Sequence, residues 1–373
     1  MRQRIPFVLF ITAPLALLAL LACLALLIGC QGATVPASTA SAATPAATMP
    51  SEPAATMPSE PTSTPASTMT PAPTPASTMT PEPTKDPAME PYCIAWLSDT
   101  QGYSAAHPET FNAMTKWIVE NKEALHIQYV VHTGDIVDVP TDRKQWDRAE
   151  EAMGAFIGQL PVFAVAGNHD IGGINHNYKN FHALMEQQNY TSYPTFGGEE
   201  KLGRRRYDLI TIGSEKFILI GAGYITGKDD YEWIQNVLTE YADRTAILIV
   251  HWYLDIDGTL NSRSGDGWNI YRKIVKVNPN IRYVLCGHKH SVKHAVQEID
   301  VDEDRKTDRT VYALMGDYQG YEEGGLGYIT LLTFDPAAKE LRVTAYSPTL
   351  DDYNYNEDES KETFTFPFVT YRD

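Results

Sequence analysis

Positive charge and cysteine are the scarce commodities of this sequence. Its 373 residues hold 30 Lys and Arg against 47 Asp and Glu, a formal charge of −17, with only 4 cysteines. Arg2, Arg4 and Lys85 are the only basic residues before position 91. Residues 91–373 therefore keep 27 basic side chains against 42 acidic ones, a balance near −15. A nucleic-acid surface needs the opposite sign, so no nucleic-acid partner is expected. Cys93 and Cys286 are the only cysteines in that region, and both sit inside apolar runs. That placement argues for buried thiols, although an exported chain would permit a disulfide.

Residues 31–90 have no apolar periodicity. They consist of Pro, Ala, Ser, Thr and Met with a few acidic residues, and they repeat: ATMPSEP at 47–53 and 55–61, TPASTMTP at 64–71 and 74–81. Such a composition cannot bury enough surface to fold and reads as a disordered tether. As a flexible coil of about 60 residues it would span roughly 45 Å. Before it, Arg2 and Arg4 precede an almost unbroken apolar stretch, Ile5 to Ile28, the pattern of an export signal. Leu27-Ile28-Gly29-Cys30 resembles the lipobox of bacterial lipoproteins, with Cys30 as the lipidated residue. An uncleaved signal anchor is the alternative, because the run is also long enough to span a bilayer. Three segments result: a lipoprotein signal peptide over 1–29, a tether over 30–90 and one folded domain over 91–373. The domain is expected outside the cytoplasm, held to the membrane through its lipid.

Within that domain, apolar runs of strand length alternate with helical stretches. Strands are expected at 92–98, 127–133, 161–166, 204–213, 216–221, 245–251, 281–286, 292–299, 309–316, 327–334 and 339–346. Helices are expected at 107–125, 143–158, 176–189, 229–242 and 267–277. The alternation in the first half predicts a largely parallel sheet and an α/β fold. Five runs share one kind of ending. IAWLS is followed by Asp99, and YVVHTG by Asp135 with Asp138 three residues on. VFAVAG is followed by Asn168, His169 and Asp170, AILIV by His251, and YVLCG by His288 and His290. Ligands bind at the C-terminal edges of such strands. One polar residue there is an ordinary helix cap, but five endings in Asp, Asn and His predict one site assembled from distant segments. Carboxylate, amide oxygen and imidazole without thiolate suit divalent ions, not an iron–sulfur cluster or a Cys-rich zinc site.

GDIVD (134–138), GNHD (167–170), VH (250–251) and GHKH (287–290), in that order, resemble the calcineurin-like metallophosphoesterases across most of 92–334. The resemblance implies a four-layer αββα sandwich with two divalent metal ions at the strand ends. It implies that Asp99 and His290 bind one ion, that Asn168, His251 and His288 bind the other, and that Asp135 bridges them. A hydroxide lying between the ions would attack phosphorus. His169 would stabilise the phosphoryl oxygens or protonate the leaving group, oriented by Asp138. Asp138 could instead cap the helix that follows residue 139. Asp170 is read as structural.

The sequence departs from the family at its first motif. The usual Asp-x-His is replaced by Asp99-Thr100-Gln101, a Ser-Asp-Thr-Gln start that a minority branch carries, together with the later GDYQGYEEGGLGYITLLTFDP (316–336). As a ligand, Gln101 would offer a harder donor than imidazole, favouring Mn²⁺, Fe²⁺ or Mg²⁺ over Zn²⁺, with Mn²⁺ preferred. Otherwise it holds a water in the second layer. The arginine that follows GDxxD in protein Ser/Thr phosphatases is absent, Val139 standing there. Tyr318 and Gln319 are expected to contact substrate, and the loops 252–268 and 317–327 to line the mouth. Arg204-Arg205-Arg206 reads either as a phosphate clamp or as a solvent-facing strand edge. The activity implied is hydrolysis of phosphomonoesters or phosphodiesters, on a phosphorylated small molecule or envelope component. The competing reading is a non-catalytic surface module on a degenerate form of the fold.

Overall fold

The computed structural model describes residues 86–172, 176–224, 227–260, 266–355 and 362–373. The signal peptide, Cys30 and nearly all of the tether lie outside the described residues. Among those described, two seven-stranded sheets face each other. In the first, β1 (Tyr92–Leu97), β2 (Ile127–His132) and β3 (Val162–Ala164) run parallel. Beyond β1 come β11 (Ile329–Asp335) and β12 (Glu340–Ser347), both antiparallel, and β12 carries β13 (Asp352–Tyr353) and β14 (Phe364–Pro367). In the second, β6 (Glu215–Ala222), β7 (Thr245–Val250), β8 (Ile281–Cys286) and β10 (Arg309–Gly316) are parallel. β5 (Arg205–Ile212) and β4 (Phe196–Glu200) extend one side antiparallel, and β9 (Val292–Ile299) closes the other.

The burial of side chains explains why so many strands read as unbroken apolar runs. β1, β7 and β8 are buried at every residue, as strands covered on both faces must be. Ile94, Trp96, Val131, Phe217, Ile247, Leu285 and Phe334 fill the space between the sheets. The outer face of the first sheet packs on α2 (Pro108–Glu120), α3 (Arg143–Met153) and α5 (Lys179–Gln187) through Phe111, Met114, Trp146 and Phe181. The outer face of the second packs on α6 (Lys228–Glu240) and α7 (Asp266–Ile270) through Ile234, Leu238 and Ile270. Helix, sheet, sheet, helix is the αββα sandwich expected. β9, the edge strand, alternates half-buried and exposed residues between buried ends.

The parallel reading of the first half holds for β1, β2 and β3 but not for β4, β5 and β6, which form an antiparallel meander. β4 escapes a sequence reading because Gly197 and Gly198 dilute its strand character. A further helix, α1 (Gln101–Ala106), starts directly at the first motif and ends just before Pro108 opens α2. The arginine triplet fits neither expectation. Arg205 and Arg206 are buried, Arg204 and Arg205 both bond to Asp230, and Arg206 grips Asp208 with two bonds of 2.8 and 2.7 Å. These arginines are internal struts. Cys93 and Cys286 are both buried free thiols.

Candidate metal centre

Each motif leaves its strand through a sharp turn at one common edge. Asp99, Asp135, His288 and His290 have φ of 53°, 55°, 74° and 48°, a left-handed conformation uncommon outside glycine that concentrates at functional sites. The motif glycines provide room. A Cβ on Gly167 would overlap the Asp135 carboxylate, and one on Gly287 would overlap that of Asp99. Asp170 keeps the turns together: its carboxylate accepts from the Ile136 N–H at 2.8 Å, Val137 at 3.1 Å and Gly167 at 2.8 Å. That is the structural part assigned to it.

His251 is the hub. Its Nδ1 donates to the Thr133 carbonyl at 2.9 Å, which fixes the ring and aims Nε2 at the cluster. Nε2 lies 3.1 Å from Asn168 Oδ1, 3.1 Å from His288 Nδ1 and 3.3 Å from Asp135 Oδ2. Asp135, His251 and His288 can each turn a ligand atom to within 4.8 Å of the others. Burial and then the neighbouring His251 push His288 down to about 3, so it is a neutral imidazole with a lone pair to offer. Burial disfavours a charged His251, but the Asp135 carboxylate outweighs it and lifts the ring to about 10. Asp135 itself is held low: burial works against its charge and the facing His251 prevails.

Asp99 borders this hub. Its carboxylate accepts the His288 N–H at 3.1 Å, the Ser98 hydroxyl, and Gln319 Nε2 at 3.0 Å. Burial first, and then the Asp317 carboxylate, raise it well above the usual carboxylate range. Gln101 is buried beside it. Turned so that its amide nitrogen meets the main-chain carbonyls of Asp135 at 2.8 Å and Asp99 at 2.9 Å, it directs its oxygen at the side-chain amide of Gln319. His290 lies where Gln101, Asp138, His169 and Gln319 border a cleft of about 470 Å³.

His169 also lines that cleft. Its N–H donates to Asp135 Oδ1 at 2.9 Å, and its Nδ1 meets Asp138 twice, the carbonyl at 2.8 Å and the carboxylate at 3.1 Å. The cap of α3 is Asp142, which accepts from the Lys144 N–H at 2.9 Å, so Asp138 is free to hold His169. Tyr318 needs correction: it is buried and stacks on Tyr328 with centroids 5.3 Å apart, away from the cleft. Side chains alternate along this segment, so Asp317 and Gln319 face the site and Tyr318 turns from it. Glu323 and Gly324 of the 317–327 loop do line the cleft.

Asp317 is the functional residue that the sequence reading passed over. It is fully buried and accepts from the His290 N–H at 2.7 Å, the Gln319 N–H at 3.0 Å and Gln319 Nε2 at 3.2 Å. It follows the apolar run of β10 just as Asp99 follows β1, so the rule that found the other endings would have found it. His132, outside every motif, is a core histidine. Its Nδ1 accepts from the Gly134 N–H at 3.1 Å and its Nε2 meets Thr100 Oγ1 at 3.0 Å, pinning the turn that carries Asp135.

The oxygen and imidazole donors fit hard or borderline divalent ions, and the protonated His251 is a poor substitute for one: a single N–H cannot serve three facing acceptors. Fold and site together define an αββα sandwich with a candidate metal centre at its strand ends. The chain belongs to the calcineurin-like phosphoesterase family, whose model matches residues 94–292. It is 40% identical over 270 residues to the uncharacterized protein YvnB of Bacillus subtilis (strain 168), covering 72% of this chain and 21% of that protein. The chain therefore spans about a fifth of that relative's length. Among solved structures it is similar to the purple acid phosphatase PPD1 from yellow lupin (Lupinus luteus) seeds, at 14% identity and a TM-score of 0.49. That match covers 74% of this chain and 54% of that one. A dimetal phosphatase from Danio rerio aligns at 12% identity and a TM-score of 0.48, covering 74% and 99%.

Proposed function

We propose that this chain hydrolyses phosphomonoesters or phosphodiesters of small or envelope molecules outside the cytoplasm, tethered by lipid on Cys30. Two divalent cations, Mn²⁺ favoured, are the cofactors. The observation that carries the reading is the convergence on His251 Nε2 of Asp135, Asn168 and His288, each within 3.3 Å. Asp135, Asn168, His251 and His288 would hold one cation; Asp99, Gln101 and His290 would hold the other, with Asp135 shared. Cations there supply charge neutralisation and a nucleophile at neutral pH.

The chain's own residues do the rest. Thr133 and Asp170 hold the ligands in place through the bonds described above. Asp138 keeps a proton on Nδ1 of His169, which leaves Nε2 as the nitrogen that can deliver a proton to the departing oxygen. The membrane location rests on the basic start, the apolar run and Leu27-Ile28-Gly29-Cys30. Metal-stripped protein, assayed with chromogenic mono- and diester phosphates while Mn²⁺ is titrated back, tests the activity. Turnover that returns with metal supports it, whereas silence with every divalent ion points to a binding module.

A further inference from the structure

Two recesses meet at His290. The larger, of about 470 Å³, runs from His169 over α1, where Gly102, Ala105 and Ala106 leave its floor open, to Glu323. The smaller, of about 300 Å³, lies on the other side of His290 and is bordered by Asp255, Ile256, His288 and Lys289. Among the described residues lining the larger recess there is no lysine or arginine; Asp138 and Glu323 bring two carboxylates, beside the imidazoles of His107, His169 and His290. In the smaller recess Lys289 lies 4.3 Å from the centre of the Trp252 ring and 3.9 Å from Asp255.

From this geometry, and resting on the phosphoesterase reading above, we infer that the substrate is a phosphodiester whose leaving arm, seated in the larger recess, is neutral or cationic. A diester has two substituents on phosphorus and the site has two recesses; a monoester would leave one of them empty. A diester phosphate also carries one negative charge where a monoester carries close to two at neutral pH; the side chains here add no guanidinium to match the second, and the ammonium of Lys289 is engaged by the Trp252 ring and Asp255. The arm nearest His169 is the one that departs, because the proton it needs comes from that ring. Water adds across the P–O bond: its oxygen stays on phosphorus, the leaving oxygen takes its proton from His169 Nε2, and of the two protons that the water gives up one restores His169 and the other goes to solvent. An arm bearing its own phosphate or carboxylate would face Glu323 and Asp138, like charge against like. A polyol or an amino-alcohol arm would not.

The test uses the full chain loaded with Mn²⁺. Its kcat/KM for bis-p-nitrophenyl phosphate is expected to exceed that for p-nitrophenyl phosphate about tenfold or more. Methyl aryl phosphates with a 4-trimethylammonio or a 4-carboxy leaving ring then probe the arm. Glu323→Lys, at an exposed position, is expected to shift the ratio of cationic to anionic substrate about threefold or more towards the anionic one, and comparing ratios cancels the intrinsic reactivity of the two rings. Ala106→Lys, also exposed, adds a single positive charge from the floor of the same recess and is expected to act in the same direction, less strongly. Equal or better turnover of the monoester would overturn the diester assignment. A ratio unmoved by both variants would overturn the placement of the leaving arm. Absence of turnover with every ester would instead bring down the phosphoesterase reading beneath it.

Discussion

Two groups of buried carboxylates in this molecule are treated in opposite ways. At the edge of the second sheet, Asp208 and Asp230 are fully buried and matched by arginine. Arg206 binds Asp208 in a two-pronged grip, packs over the Tyr190 ring at 4.2 Å and donates to the Val162 carbonyl at 3.0 Å. Arg204 and Arg205 close on Asp230. At the strand ends, Asp99, Asp135, Asp170 and Asp317 are just as buried, and among the described residues none is ion-paired with a lysine or arginine. One cluster is a finished piece of structure. The other carries more negative charge than the protein neutralises, and a divalent ion is what its donors are built to meet.

The same substitution should therefore have opposite consequences in the two places. Asp208→Asn leaves the buried Arg206 without its counter-charge, and the chain is expected to lose about 3–5 kcal/mol, read from chemical denaturation. Asp99→Asn removes a carboxyl whose charged form burial and Asp317 already disfavour, so the metal-free protein is expected to keep or gain stability. Equal losses in both variants would dissolve the contrast. Metal is the second probe. At a hundredfold excess over its dissociation constant, Mn²⁺ should stabilise the wild-type chain by about 2.7 kcal/mol per site. Asp99→Asn should lose most of the gain from one site, and Asp208→Asn should keep the whole of it.

Acidity offers a smaller and finer test. Burial lowers the affinity of His251 for its proton, the Asp135 carboxylate more than restores it, and the ring stands at about 10 in the metal-free protein. Being raised above its unfolded value, it stabilises the metal-free fold fully below about pH 6.5 and loses that contribution as the pH rises through 10. To ligate a metal, the ring must first release that proton. Apparent Mn²⁺ affinity should accordingly rise about tenfold per pH unit between pH 6.5 and 8.5, measured by calorimetry in two buffers to count the protons released. A flat profile would mean that His251 is not a ligand.

Much of this was legible in the sequence because both signals are local. A strand buried on both faces must be apolar throughout, and its polar ending is then conspicuous, which is why Asp99, Asp135, Asn168, His251 and His288 stand out. Asp317 obeys the same rule, directly following the buried run of β10, and was equally legible. The arginine triplet was misread for a different reason. For Arg204 and Arg205 the outcome depends on Asp230, which stands 26 and 25 residues away, and no local pattern records that pairing; Arg206 meets Asp208 two residues on along β5, a pairing within reach of the sequence. The antiparallel turn of β4 to β6 was hidden likewise, since strand direction is set by which neighbours pair.

Gln101 makes the most delicate comparison, because it separates this site from the usual Asp-x-His start of its family. Its amide nitrogen is occupied by two main-chain carbonyls, so its oxygen, directed at the side-chain amide of Gln319, is the atom left to serve a cation. An amide oxygen is a harder donor than imidazole nitrogen, and both are neutral, so exchanging them changes ligand type without changing charge. Gln101→His should therefore keep the fold and the net charge of the cluster while moving the order of affinities from Mn²⁺ towards Zn²⁺, measured by competition between the two ions for one preparation. The shift is expected to be the smallest of these effects, because six of the seven donors are unchanged. If the order does not move at all, Gln101 acts only by bonding to Asp99, Asp135 and Gln319, and the preference for the metal is set by the residues it supports.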